Sequence, residues 1–417
     1  VTNVLIIYTN FIFERGNFMS LNNTPRANQL HIGIFGKRNS GKSTLINAIT
    51  GHNTALVSEV AGTTTDPVYK TMEIYGLGPC VLIDTAGFDD IGELGRMRVE
   101  KTQNALLKTD VALIVCADND IRQELAWIER LKEKNTPYVL IINKADEIEN
   151  AEEISSLFYN ALKEKPFLIS AKEKTGIKSI IEAIIRKLPE DFDAVSITGN
   201  LVGEDDTVLL VMPQDIQAPK GRLILPQVQT LRELLDKKCI VLSCTTDKLD
   251  QALASFAKPP KLIITDSQVF KTVYDKKPAE SILTSFSVLF ANHKGDINYY
   301  AESAAAIEQL TENSRVLIAE ACTHAPLAED IGREKLPRML RKKVGEGLTV
   351  DVVSGNDFPQ DLTSYDLIIQ CGACMFNRKY VINRIEKAKE QQIPMSNYGV
   401  VIAYLSGILD KVSINNR

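Results

Sequence analysis

The chain has 417 residues, 44% of them apolar and 24% charged, with a net charge of −5 and a pI near 5.6. That length implies about two to four domains, each with its own core. The acidic balance argues against broad nucleic-acid binding, and no apolar run reaches the ~18 residues of a membrane span.

Seven cysteines, an odd count without framework spacing, argue against a disulfide scaffold and suit a reducing cytoplasm. The apolar run Val4–Phe13 is short and lacks the basic start of a signal peptide. Residues 1–27 therefore read as an N-terminal extension, with Met19 the natural start. Three α/β domains are expected after it, a P-loop domain followed by two smaller ones with mostly parallel sheets.

The first spans 28–192. Leu30–Phe35 reads as a buried strand running into Gly36-Lys37-Arg38-Asn39-Ser40-Gly41-Lys42-Ser43, then into helical spacing from Thr44. This is G-x-x-x-x-G-K-S in a strand–loop–helix context. The glycines let backbone N–H groups curl around phosphate, and the helix N-terminus adds its dipole. Gly36, Asn39, Ser40, Gly41, Lys42, Ser43 and Thr44 are the nucleotide-binding residues here, Lys42 on the β/γ-phosphates and Ser43 on Mg²⁺. Cys80-Val81-Leu82-Ile83 leads into Asp84-Thr85-Ala86-Gly87, where Asp84 suits the Mg²⁺ shell and Gly87 the γ-phosphate. Val139–Ile142 leads into Asn143-Lys144-Ala145-Asp146. Asp146 can accept two bonds from the guanine N1 and N2 edge, and Ser170-Ala171-Lys172 supplies a further base-side loop. Cys80 and Cys116 lie inside apolar strands and read as core thiols.

Together these elements resemble the translation-factor-like GTPases, nearest the Era/TrmE branch. Ala61-Gly62-Thr63-Thr64-Thr65-Asp66 resembles that branch's first switch. The resemblance implies that Thr64 senses Mg²⁺, and that Asn39, with Thr63 and the carbonyls of Ser58 and Val60, holds a K⁺ ion in place of an arginine finger. Lys42, Thr64, Asp84 and Gly87 form the expected set for GTP hydrolysis. Phe88 follows Gly87; an apolar side chain cannot orient the attacking water as a glutamine does, so slow hydrolysis is expected. The segment Phe88–Glu100 reads as the mobile second switch.

The second domain, 197–277, reads as β-α-β-α-β without a phosphate loop, metal cluster or catalytic set. Cys239 and Cys244 lie an odd number of residues apart on an extended run, so their side chains point to opposite faces and are poorly placed to share a metal. The apolar, proline-bounded loop Ala218–Pro226 is a candidate for exchange between subunits, which makes this the expected dimerisation domain.

The third domain, 280–417, resumes the α/β pattern. Ser285–Phe290 reads as a strand and Tyr299–Leu310 as a helix. Strand Val316–Ala321 ends at Cys322, and strand Leu367–Ile369 ends at Gln370-Cys371-Gly372-Ala373-Cys374. If both strands belong to one parallel sheet, their carboxyl ends share an edge. Three soft thiolates would then meet, a set that selects an iron–sulfur cluster, zinc or copper(I).

Cys322-Thr323-His324 followed by Cys371-Gly372-Ala373-Cys374, behind a GTPase domain, resembles the HydF family of FeFe-hydrogenase maturation GTPases. The resemblance implies a 4Fe–4S cluster on Cys322, Cys371 and Cys374. It also implies a transient two-iron precursor assembled by radical-SAM maturases and delivered to apo FeFe-hydrogenase. A homodimer or larger assembly is expected, with no nucleic-acid or membrane partner. Gln370 stands where the family has a histidine, and alternation along a strand turns residue 370 away from Cys371. His324 is a candidate fourth ligand, or a donor behind the ligands. Three competing readings remain: a GTPase with structural zinc, which needs a fourth strong ligand; an Era/TrmE-like GTPase in RNA modification or ribosome assembly with a structural metal site; and three packed thiols.

Overall fold

The structure is a computed structural model that describes residues 25–51, 58–60, 67–74, 76–87, 93–188, 196–213, 223–321 and 331–412. Thr63, Thr64, Phe88, Cys322, His324, Met19 and most of the loop Ala218–Pro226 lie outside the described residues.

The first unit is built on β1 (Leu30–Phe35), a strand buried along its whole length. After it come α1 (Lys42–Thr50), β2 (Ser58–Val60), β3 (Val68–Ile74), β4 (Gly78–Asp84), α2 (Glu93–Leu106), β5 (Val111–Cys116), α3 (Arg122–Glu133), β6 (Tyr138–Ile142), α4 (Ala151–Leu162), β7 (Phe167–Leu168) and α5 (Ile177–Lys187). The strands form one sheet in the order β2-β3-β4-β1-β5-β6-β7, parallel from β4 to β7, with β2 and β3 antiparallel. Continuous apolar strands such as Val111–Cys116 mark a sheet covered on both faces. Leu45, Ile46, Ile180 and Ile184 cover one face, and Trp127, Ile128, Leu131 and Phe158 the other. Because β1, β4 and β6 run parallel, the residues after them emerge at one edge. Helix α2 takes in Glu93–Glu100 of the expected second switch, and residues 88–92 lie outside the described residues.

The second unit contains β8 (Thr207–Val211), α6 (Leu225–Asp236), β9 (Ile240–Cys244), α7 (Leu249–Ala254), β10 (Leu262–Thr265), α8 (Phe270–Lys276) and β11 (Ile282–Ser285). Its sheet, β11-β10-β8-β9, is all parallel. Cys239 and Cys244 are free and pack into different core clusters, as alternation requires.

Two boundaries differ from the sequence reading. Residues 282–285 pair with β10 and so belong to the second sheet, although 280 was the expected start of the third unit. Ser285–Phe290 is not a strand: Ser285 Oγ accepts the Val288 N–H at 3.3 Å and caps helix α9 (Phe286–Lys294). A cap of this kind satisfies a backbone donor left open in the first helical turn and overrides the strand propensity of Phe and Val.

The third unit follows with α10 (Ile297–Ala304), β12 (Arg315–Glu320), α11 (Leu336–Val344), β13 (Thr349–Ser354), β14 (Leu367–Gln370), α12 (Arg378–Glu390), β15 (Met395–Asn397) and α13 (Tyr398–Leu405). Its sheet, β13-β12-β14-β15, is also all parallel. One core cluster runs through both later units, from Leu209, Val211 and Ile263 to Leu317, Ile368 and Met395, with Tyr300 among them. Ile368 is fully buried, so Ile368→Ala is expected to cost about 2–5 kcal/mol. The shared core predicts that urea denaturation of this variant shows the second and third units losing stability together. A second unit that unfolds at its wild-type midpoint would contradict that.

Candidate nucleotide and thiolate sites

The phosphate loop leaves β1 at Gly36. A Cβ there would meet the Val115 carbonyl oxygen at 2.3 Å, so glycine is required for the loop to pass β5. Gly41, with φ of 88°, is left-handed and would likewise meet Asn143 Nδ2 at 2.2 Å. Asn39 also adopts positive φ. Lys42 is buried and donates to the Gly36 and Lys37 carbonyl oxygens at 2.9 and 2.7 Å, which curls the loop around its ammonium. Ser43 Oγ donates to Asp84 Oδ2 at 2.8 Å. Burial raises the Asp84 carboxyl above its usual range, and the Ser43 bond opposes this. Two oxygens side by side at the foot of a phosphate loop fit the hard-ligand preference of Mg²⁺. Gly87 is buried three residues beyond Asp84.

Asn143 ties this loop to the base side. Its Nδ2 donates to the Ser40 carbonyl at 2.9 Å, and its Oδ1 accepts the Ala171 N–H at 3.0 Å. Lys144 takes positive φ, and the Ala145 N–H reaches the Ile169 carbonyl. Asp146 therefore sits beside Ser170, whose hydroxyl holds its carboxyl below the ordinary range, with Lys172 Nζ at 3.8 Å. Thus Asn143, Asp146, Ser170, Ala171 and Lys172 converge on the edge that carries Gly36–Thr44. Lys37, not singled out from sequence, pairs with Asp118 at 2.8 Å and lies 3.7 Å from the buried Glu124, whose carboxyl burial pushes up to about 7.

The second site forms where β12 and β14 end. They are neighbours and parallel, with Ala319 opposite Gln370. The Ala321 N–H donates to Cys371 Sγ at 3.0 Å, and the Ala373 N–H approaches the same sulfur at 3.4 Å. Ala373 itself is left-handed, with φ of 49°. Backbone donors aimed at a sulfur favour its charged form. Burial dominates all the same, and the Cys371 thiol is pushed up to about 11. Among the described residues, neither Cys371 nor Cys374 forms a disulfide. Cys322 and His324 lie outside the described residues, and among those residues no group of three or more His, Cys, Asp or Glu converges on a metal position.

Gln370 is buried, and both its amide atoms lack a hydrogen-bond partner among the described residues. The expectation that residue 370 faces away from Cys371 applies only within the strand. Cys371 lies past its end and packs against the core cluster that includes Ile368. Two further residues, with no signal in the sequence, surround the loop. Lys294 of α9 is buried and reaches the carbonyl oxygens of Phe376, Ala373 and Cys374. Arg384 of α12 is buried among Phe376, Phe358 and Tyr380, its guanidinium carbon 4.6, 4.7 and 4.8 Å from their ring centroids.

The loop also touches the first unit. Asn377 Oδ1 caps α12 by accepting the Tyr380 N–H, while its Nδ2 donates to the Lys108 carbonyl at 2.8 Å and lies 3.3 Å from Asp110 Oδ2. Asn383 Nδ2 donates to the Leu107 carbonyl at 2.7 Å. These carbonyls belong to the turn that directly follows α2. Burial drives the Asp110 carboxyl up to about 7, and Oδ2 accepts the His31 N–H at 2.9 Å.

A phosphate loop, a Ser43–Asp84 pair and a base-side loop on one parallel edge define the first unit as a P-loop GTPase domain. Residues 31–144 match the 50S ribosome-binding GTPase family, 197–295 the Hydrogen maturase F dimerization domain and 298–414 the Hydrogen maturase F tetramerization domain. The chain belongs to the HydF family. The tRNA modification GTPase MnmE of Endomicrobium trichonymphae is 33% identical over 164 residues, 38% of this chain and 35% of that protein. GTPase Der of Geotalea daltonii is 33% identical over 163 residues, 38% of this chain and 36% of its own. The chain thus spans about a third of the length of these curated relatives. A solved structure of Era with MgGDPNP and a 16S ribosomal RNA segment is 19% identical, with a TM-score of 0.33, and covers 52% of this chain and 92% of its own. That likeness is too loose to carry an argument.

Asn143→Ala removes two buried hydrogen bonds, at about 1–3 kcal/mol for groups left unpaired. The expected result is at least a several-fold weaker affinity for a fluorescent GDP analogue, measured by titration, together with a lower melting temperature. Unchanged affinity would show that Asn143 does not brace the loop.

Proposed function

We propose that the chain is a GTP-hydrolysing carrier in FeFe-hydrogenase maturation. It would bind a 4Fe–4S cluster through Cys322, Cys371 and Cys374 and deliver a two-iron precursor to the apo-hydrogenase. The observation that carries the cluster reading is the Ala321 N–H on Cys371 Sγ at the end of two paired parallel strands, because Cys322 is the next residue in the chain. The donor set fits: soft sulfur suits an iron–sulfur cluster, neither Cys371 nor Cys374 is tied up in a disulfide among the described residues, and backbone N–H groups already address one sulfur. When bound, a cluster held by three cysteines would offer one iron for a further ligand, supplied by His324, water or the precursor.

In the GTPase domain, Lys42 and the backbone around Gly36–Thr44 hold the phosphates, Ser43, Thr64 and Asp84 serve Mg²⁺, and Gly87 meets the γ-phosphate. Asp146 selects guanine through two N–H bonds that adenine does not offer. Asn39, Thr63 and the Ser58 and Val60 carbonyls hold K⁺. Positioning and charge neutralisation account for such phosphoryl transfer. With Phe88 in place of a glutamine, hydrolysis is slow and potassium-stimulated. GTP then changes affinity for the radical-SAM maturases or the hydrogenase rather than driving iron chemistry. The two Hydrogen maturase F domain matches support a dimer or larger assembly, and the setting is cytoplasmic.

The test is anaerobic iron–sulfide reconstitution followed by hydrogenase activation. Wild type is expected to gain iron, sulfide and visible charge-transfer absorbance. Cys322→Ser, Cys371→Ser and Cys374→Ser are each expected to lose most of that absorbance and to abolish activation. Full iron retention in any of them would refute the ligand set. Separately, GTP turnover is expected to be faster in potassium than in sodium, and Asn39→Ala to erase that difference; equal rates in both salts for wild type would remove the K⁺ site.

A further inference from the structure

The cysteine loop is held from below by a residue of another unit. Lys294 ends α9, inside the stretch that matches the dimerization domain. It is 2% exposed, and its Nζ lies 2.7 Å from the Phe376 carbonyl oxygen, 3.2 Å from that of Ala373 and 3.4 Å from that of Cys374. All three partners accept. An ammonium has three donors and no acceptor, whereas a neutral amine has one N–H too few. The contact set is therefore that of a charged lysine.

A buried charge is costly unless something answers it. Among the described residues, neither Lys294 nor Arg384 forms an ion pair with a carboxylate. Arg384 reaches the Gly355 carbonyl at 2.6 Å and leaves Nε and Nη1 without hydrogen-bond partners among those residues. Two buried cations thus flank a loop carrying two cysteines. Carbonyl dipoles answer Lys294 in part, and an anionic occupant on the sulfurs would answer the rest.

We propose that Lys294 is the positioning residue of the Cys371–Asn377 loop: its ammonium gathers the loop carbonyls and sets a positive charge near the sulfurs of Cys371 and Cys374. This rests on the reading of those cysteines as cluster ligands. Lys294 touches no reacting atom. It acts through the loop, by fixing where the sulfurs point, and through space, by favouring a cluster with more negative charge and hence its reduced form.

The experiment compares wild type with Lys294→Met, Lys294→Gln and Lys294→Arg in two measurements. Hydrogen exchange of the metal-free protein is followed by mass spectrometry at residues 371–377, with Val316–Ala319 of β12 as a folding control. Lys294→Met is expected to exchange roughly tenfold faster in the loop, as loss of a charge-assisted hydrogen bond implies, with β12 unchanged. Lys294→Gln, which keeps an N–H donor, decides the matter if the methionine variant also loses protection in β12; its loop exchange is expected between wild type and methionine. After reconstitution, a redox titration followed by electron paramagnetic resonance is expected to place the Met and Gln midpoints below wild type, and Lys294→Arg nearer to it. Unchanged loop exchange in the neutral variants overturns the assignment whatever their iron content, and an unmoved midpoint overturns its electrostatic part. A wild type that protects the loop through Lys294 yet takes up no iron refutes the ligand reading instead, and leaves Lys294 as the residue that sets the loop.

Discussion

The parallel pairing of β12 with β14, Ala319 opposite Gln370, is the constraint on which the third unit depends. A one-residue slip in that register would exchange the two faces of the strand. It would separate Leu317 and Ile368 from the core they share with the second unit and lift the Ala321 N–H from Cys371 Sγ. Register, core and thiolate geometry are therefore one specification. The same rule operates in the first unit, where β1, β4 and β6 all end at one edge and bring Gly36, Asp84 and Asn143 together from three distant stretches of chain.

The parts of the fold legible in the sequence were those whose signal is local. Leu30–Phe35 ends where its apolar run ends, and the glycines of the phosphate loop are demanded by backbone contacts that any such loop makes. The strand before Cys371 was equally plain. Ser285–Phe290 was misread because two aromatic residues and a β-branched one suggest extended chain, while the decisive fact is a serine hydroxyl capping Val288. Attention to that serine as a helix start would have found it. The second sheet's claim on Ile282–Ser285 was not legible, because strand partners are chosen by contacts far away in sequence.

Lys294, Arg384 and Asn377 were missed for a related reason. Each looks like an ordinary residue of a helix or its cap, and each acquires meaning only when chain some 80 residues or more away closes over it, as for Lys294 and Ala373, or when three aromatic rings assemble around it, as for Arg384. Buried charge is a feature of the assembled fold, and neither spacing nor hydropathy announces it. By contrast, the opposite faces of Cys239 and Cys244 followed from odd spacing on a strand alone.

Asn377 has a consequence of its own. One amide group both starts the helix after the cysteine loop and grips the turn that closes the helix following Asp84-Thr85-Ala86-Gly87. With Asn383 seated nearly two turns further on, that closing turn is pinned at two points to the unit bearing the cysteines. A rotation of α2 about its axis has two outcomes: it drags the beginning of α12 along like a meshed gear, or it strips both teeth.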